Sequence, residues 1–80
     1  MTELQQKISD IIVERLGIKE SKIKPEASFV DELGANSLDL VELIMELENS
    51  YSIIISDEDA DKLKTVGNVF TYIENVMTEK

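Results

Sequence analysis

The chain has 80 residues, 31% of them charged, and a net charge of −9 at pH 7, which bounds it to one small domain with a modest core. That acidic balance excludes nucleic acid, whose phosphates need Lys and Arg, disfavours anionic membrane surfaces and favours basic protein partners drawn in by long-range attraction. His, Cys and Trp are absent, which removes disulfide staples, thiolate metal sites, the commonest general base and the best neutral-pH nucleophile, so an enzyme is not expected.

The stretch Thr2-Glu3-Leu4-Gln5-Gln6 has no basic region and no long apolar run, which reads as a soluble, cytoplasmic protein without signal peptide or membrane span. Thr2 followed by Gln5 fits a capping box. Leu4, Ile8, Ile11, Ile12 and Leu16 recur at helical spacing and Gly17 supplies the stop, so a first helix is predicted over residues 3–16. Residues 17–36 read as a loop. It carries Lys19, Lys22, Lys24 and the only proline, Pro25, with Phe29, Val30 and Leu33 expected to pin it to the core.

Asn36 suits the N-cap of a second helix from Ser37 to Ser50. The run Ile53-Ile54-Ile55 has strand propensity but no second strand to pair with, so it is read as loop. Ser56 with Asp59 three residues on opens a short helix, residues 57–62. Thr65 caps a last helix over 66–77 with Val66, Val69, Phe70, Ile73 and Met77 along one stripe, and Gly67 is expected to weaken its first turn by up to about 1 kcal/mol. The sum is an all-α, four-helix bundle of three longer helices and one short one, a single domain spanning 1–80.

The second helix carries two apolar faces. Advancing about 100° per residue, Leu40, Leu43, Ile44, Leu47 and Tyr51 form one stripe, while Leu38, Val41 and Met45 form another nearly opposite. Glu48 borders the second stripe on one side, and Asp39, Glu42 and Glu46 on the other. A domain this small can hardly enclose one helix completely. The second stripe therefore reads as a docking surface with an apolar centre and a charged rim.

Between Lys24 and Lys62 the chain has carboxylates but no Lys or Arg, and within that segment lies Gly34-Ala35-Asn36-Ser37-Leu38-Asp39. Ser37 falls in the first turn of the second helix, at the positive end of the helix dipole, where exposed amides tolerate a phosphodiester. With no base nearby to activate it, such a hydroxyl reads as a substrate that another enzyme modifies, and Gly34 allows that enzyme a close approach to the chain. On its own Asn-Ser-Leu-Asp is weak, since most such sequences only cap. Asp57, Asp59 and Asp61 are spaced like the opening of a calcium-binding loop, but that loop needs Gly at its sixth position and Glu at its twelfth, where this chain has Lys62 and Asn68. No metal site is expected.

The stretch from Ala27 through Asp39 (Ala-Ser-Phe-Val-Asp-Glu-Leu-Gly-Ala-Asn-Ser-Leu-Asp), followed by Val41-Glu42-Leu43, resembles the acyl carrier proteins of type II fatty acid synthesis. The similarity extends through Leu16-Gly17 and through Asp57-Glu58-Asp59-Ala60 to Thr65-Val66, nearly the whole chain. The resemblance implies a non-catalytic, monomeric carrier whose Ser37 bears 4′-phosphopantetheine, donated by coenzyme A through a phosphopantetheinyl transferase. The arm's thiol would hold acyl chains as thioesters. It also implies that Asn36, Leu38, Asp39, Val41, Glu42, Met45 and Glu48 face partners, namely the transferase and fatty acid synthesis enzymes with basic docking patches.

Two positions depart from the family pattern. Asn36 stands where the family has Asp, which removes a dipole contribution of roughly 0.3–1 kcal/mol and one acidic contact for the transferase. Ile53 and Ile54 stand where the family is usually polar. Carriers of peptidyl, polyketide or D-alanyl cargo would share the fold, and an unmodified structural adaptor is the rival from another class.

Overall fold

The computed structural model describes residues 2–78. Four helices follow one another: α1 over Glu3–Leu16, α2 over Ser37–Tyr51, α3 over Asp57–Ala60 and α4 over Val66–Thr78, with a 3₁₀ turn at Glu20–Lys22 in the first loop. The expected all-α bundle is present. The Thr2 hydroxyl accepts from the Gln5 amide at 3.1 Å, and the Thr2 amide donates to Gln5 Oε1 at 3.3 Å, so α1 begins where its capping box sets it. It ends where the Gly17 amide donates to the Val13 carbonyl at 2.9 Å.

Two helices run one residue past expectation, α2 to Tyr51 and α4 to Thr78, while α3 falls short of 57–62. Its last turn tightens: the Lys62 amide donates to the Asp59 carbonyl and the Leu63 amide to that of Ala60, three residues back in each case. Ser52, with φ 54°, ends α2.

The core is built from Ile8 and Ile12 of α1, Leu43 and Leu47 of α2, and Val69 and Ile73 of α4, closed by Phe29 from the loop. The loop is seamed to the start of α4 by backbone alone. The Phe29 amide donates to the Lys64 carbonyl (3.1 Å), Val66 to Ala27 (3.1 Å) and Gly67 to Pro25 (2.8 Å). The last two of these bonds give acceptors to first-turn amides of α4 that a helix cannot satisfy internally. A Cβ at position 67 would stand 2.8 Å from the Pro25 oxygen. Gly67, a weakness on helix propensity, is therefore what lets the loop approach.

Phe29 and Leu33 are buried as expected, but Val30 is 58% exposed and does not pin the loop. The amides of Glu32 and Leu33 both donate to the Ser28 carbonyl, winding a turn in which residues 29 and 33 share the inner side and residue 30 points away. Residues 53–55 form no strand. Ile55 is buried, with its amide donating to Glu48 Oε2 at 2.7 Å, and Ile54 is 90% exposed. No helix among the described residues is long and apolar enough to cross a membrane.

Candidate functional site

Leu33 and Ala35 are buried, and the Ala35 amide donates to the Phe29 carbonyl at 2.8 Å, fixing the approach to α2. Between them Gly34 turns the chain with φ 69°, a conformation that costs a residue with a Cβ. Asn36 then caps α2. Its Oδ1 accepts from the Asp39 amide at 2.8 Å, and its own amide donates to Asp39 Oδ2 at 3.3 Å. The next residue, Ser37, opens the first turn and is exposed. Among the described residues no side chain hydrogen-bonds its hydroxyl and none is placed to activate it, while the helix dipole puts partial positive charge beside it.

The second apolar stripe of α2 faces solvent, with Leu38 65%, Val41 54% and Met45 56% exposed. The carboxylates around it already have internal work. Asp39 belongs to the cap, and Glu48, half-buried, holds the Ile55 amide. On the edge facing α1, Arg15 Nη2 lies 2.7 Å from Glu46 Oε1 and its Nη1 lies 3.8 Å from Glu42 Oε2.

A cleft of about 340 Å³ opens between α2 and α3. Ser37, Val41 and Met45 belong to its α2 wall, and Ile55, Ala60 and Leu63 to the opposite one. The exposed Asp57 and Asp61 also line it. The exposed Ser37 hydroxyl, part of the solvent-facing apolar stripe and an apolar recess thus meet at one place.

The Tyr72 hydroxyl donates to Asp59 Oδ2 at 3.0 Å. Partial burial pushes the Tyr72 phenol above its ordinary value, and so do that hydrogen bond and the negative charges of Asp59 and Glu48. Among the described residues no cluster of three carboxylates is placed to hold a metal ion. Sequence reasoning passed over Arg15 and the α3 wall of the cleft. Arg15 sits on the polar edge of its own helix, and only the packing of α1 against α2 shows what it meets. The cleft wall could have been suspected from Ile55, Ala60 and Leu63 flanking a helix too short to bury itself.

An exposed serine at the start of a helix, beside an apolar cleft in a small helical bundle, has the form of a carrier module. Residues 6–73 match the model of the family described as phosphopantetheine attachment site, and the chain belongs to that family. Its prosthetic group is therefore 4′-phosphopantetheine, and its role is that of a carrier and not an enzyme. Among solved structures it is similar to a Mycobacterium tuberculosis protein provisionally assigned as an acyl carrier protein, at 38% identity and a TM-score of 0.83, over 89% of this chain and 95% of the other. It is also similar to an acyl carrier protein from Enterococcus faecalis, at 37% identity and a TM-score of 0.75, over 91% of this chain and 95% of that one.

Proposed function

We propose that this chain, as a single monomeric domain spanning 1–80 in the cytoplasm, carries fatty acyl intermediates as thioesters on 4′-phosphopantetheine attached to Ser37, and presents them to fatty acid synthesis enzymes. The observation that carries this reading is the position of Ser37, exposed in the first turn of α2 and lining the cleft between α2 and α3. The residues suit the group. The hydroxyl is open to a modifying enzyme, the dipole favours a phosphodiester there, and the cleft offers apolar walls to an acyl chain. When bound, the arm supplies the thiol on which the acyl group rides.

Attachment asks one thing of this chain. Ser37 Oγ attacks the phosphorus of coenzyme A that bears the pantetheine arm. A new P–O bond forms, the pyrophosphate P–O bond breaks, and adenosine 3′,5′-bisphosphate leaves. The hydroxyl proton passes to a base on the phosphopantetheinyl transferase, which also supplies Mg²⁺. Leu38, Val41 and Met45 give that enzyme and later partners an apolar seat, and Asn36, Asp39, Glu42 and Glu48 lie around it.

Intact-mass measurement after incubation with coenzyme A and a phosphopantetheinyl transferase tests the proposal. A gain of one phosphopantetheine is expected, and none in Ser37→Ala. No gain in the parent chain, or a gain that survives the substitution, overturns it. Cargo is tested separately by offering the loaded carrier to fatty acyl, peptidyl, polyketide and D-alanyl loading enzymes, with preferential fatty acylation expected.

A further inference from the structure

We propose that Arg15 determines which basic partners this carrier accepts, by occupying the carboxylates on one edge of the docking strip and leaving the other edge to the partner. The inference rests on the carrier reading above. Arg15 is the only arginine in the chain, and its guanidinium reaches Glu46 at 2.7 Å and Glu42 at 3.8 Å. All three side chains keep substantial solvent access, so the contact is a displaceable surface pair and not a structural lock. It nevertheless puts a positive charge where a partner's Lys or Arg would have to sit.

The opposite side of the strip differs. Asp57, Glu58 and Asp61, on and just after α3, are exposed, and among the described residues none of them forms an ion pair, although Lys62 adjoins them in sequence. A partner seated on Leu38, Val41 and Met45 therefore meets a half-neutralised edge toward α1 and an open negative edge toward α3. The geometry selects enzymes whose basic residues lie on the α3 side, and it disfavours those that would need Glu42 and Glu46.

The test is the KM of the full-length carrier for a phosphopantetheinyl transferase, at saturating coenzyme A and at low and high ionic strength. Five proteins are compared: parent, Arg15→Gln, Glu42→Gln/Glu46→Gln, the triple variant combining these, and Asp57→Asn/Glu58→Gln/Asp61→Asn. Arg15→Gln is expected to lower KM by about two- to five-fold at low salt, the worth of an exposed ion pair, and to lose that effect at high salt. Glu42→Gln/Glu46→Gln should raise KM about two- to five-fold more once Arg15 is gone than while Arg15 is present. The α3 variant should raise KM in the parent background. Equal effects of Glu42→Gln/Glu46→Gln in both backgrounds, or no response to Arg15→Gln, overturn the inference. Melting temperatures are measured alongside, because a merely structural Arg15 would move those and leave KM uncoupled. A transferase that modifies none of the five proteins overturns the carrier reading itself, and this inference with it.

Discussion

The Tyr72 hydroxyl of α4 donates to the carboxylate of Asp59 in α3 at 3.0 Å, across a gap of thirteen residues in sequence. Helix α3 has a single turn, too short to be stable on its own, so this bond and the Ser56 cap, whose Oγ accepts from the Asp59 amide at 3.1 Å, hold the outer wall of the cleft. Tyr72→Phe should cost about 1 kcal/mol, lowering Tm by about 4–8 °C for a domain of this size.

The same phenol gives a pH dependence. Burial raises the pKa of both Tyr51 and Tyr72 above 10.0, with Asp59 and Glu48 adding to the shift at Tyr72. In the folded state both therefore hold their protons to higher pH than in the unfolded chain. The stability they contribute is full below the unfolded value of about 10 and is lost as pH rises through the raised folded values. Urea midpoints followed upward from about pH 9 should fall, and should fall less in Tyr72→Phe. A parent chain whose midpoint stays flat through that range would contradict this.

At position 67 propensity and packing oppose each other. Alanine is the better helix former by about 1 kcal/mol, but its Cβ would press on the Pro25 carbonyl oxygen, itself bonded to the Gly67 amide. Packing should win, so Gly67→Ala is expected to destabilise by about 1–3 kcal/mol. Chemical denaturation of the two proteins reads the sign directly.

The cap at Asn36 is reciprocal with Asp39. Asn36→Ala should cost about 1 kcal/mol. Asn36→Asp is expected to raise stability by less than about 1 kcal/mol, because the gain from the dipole is offset by the Asp39 carboxylate in the same box. Ser37 should stay modifiable in both, as intact mass would show.

The two faces of α2 should separate cleanly. Val41→Ser and Met45→Gln, on the exposed strip, are expected to leave stability within about 0.5 kcal/mol while raising the transferase KM. Leu43→Ala, at a buried position, should cost about 2–5 kcal/mol. Thermal melts paired with initial rates test both halves.

The features legible in the sequence were those written in side chains. Thr2, Gln5 and Gly17 bound α1, Asn36 started α2, and the apolar stripe of Leu38, Val41 and Met45 emerged on the solvent side as its angle on the helix required. What stayed hidden was carried by the backbone or by contacts between helices. The seam between Pro25–Phe29 and Lys64–Gly67 uses only amides and carbonyls, which every sequence possesses, so Gly67 read as a flaw. Val30 read as an anchor because hydrophobicity alone does not say which way a turn points it. Arg15 is polar and exposed like any surface residue until α1 is laid beside α2. The position of Ser37 was visible early, but the cleft beside it depends on where the one-turn α3 comes to rest.

The seam has a consequence for how the molecule assembles. Its three bonds join positions roughly forty residues apart and close a ring of chain that contains all of α2. Closing that ring costs conformational entropy, which the three bonds and the packing of Phe29 behind them offset together. The amides of Phe29, Val66 and Gly67 are therefore expected to exchange with solvent together, as the ring opens, and native-state hydrogen exchange would read that opening directly.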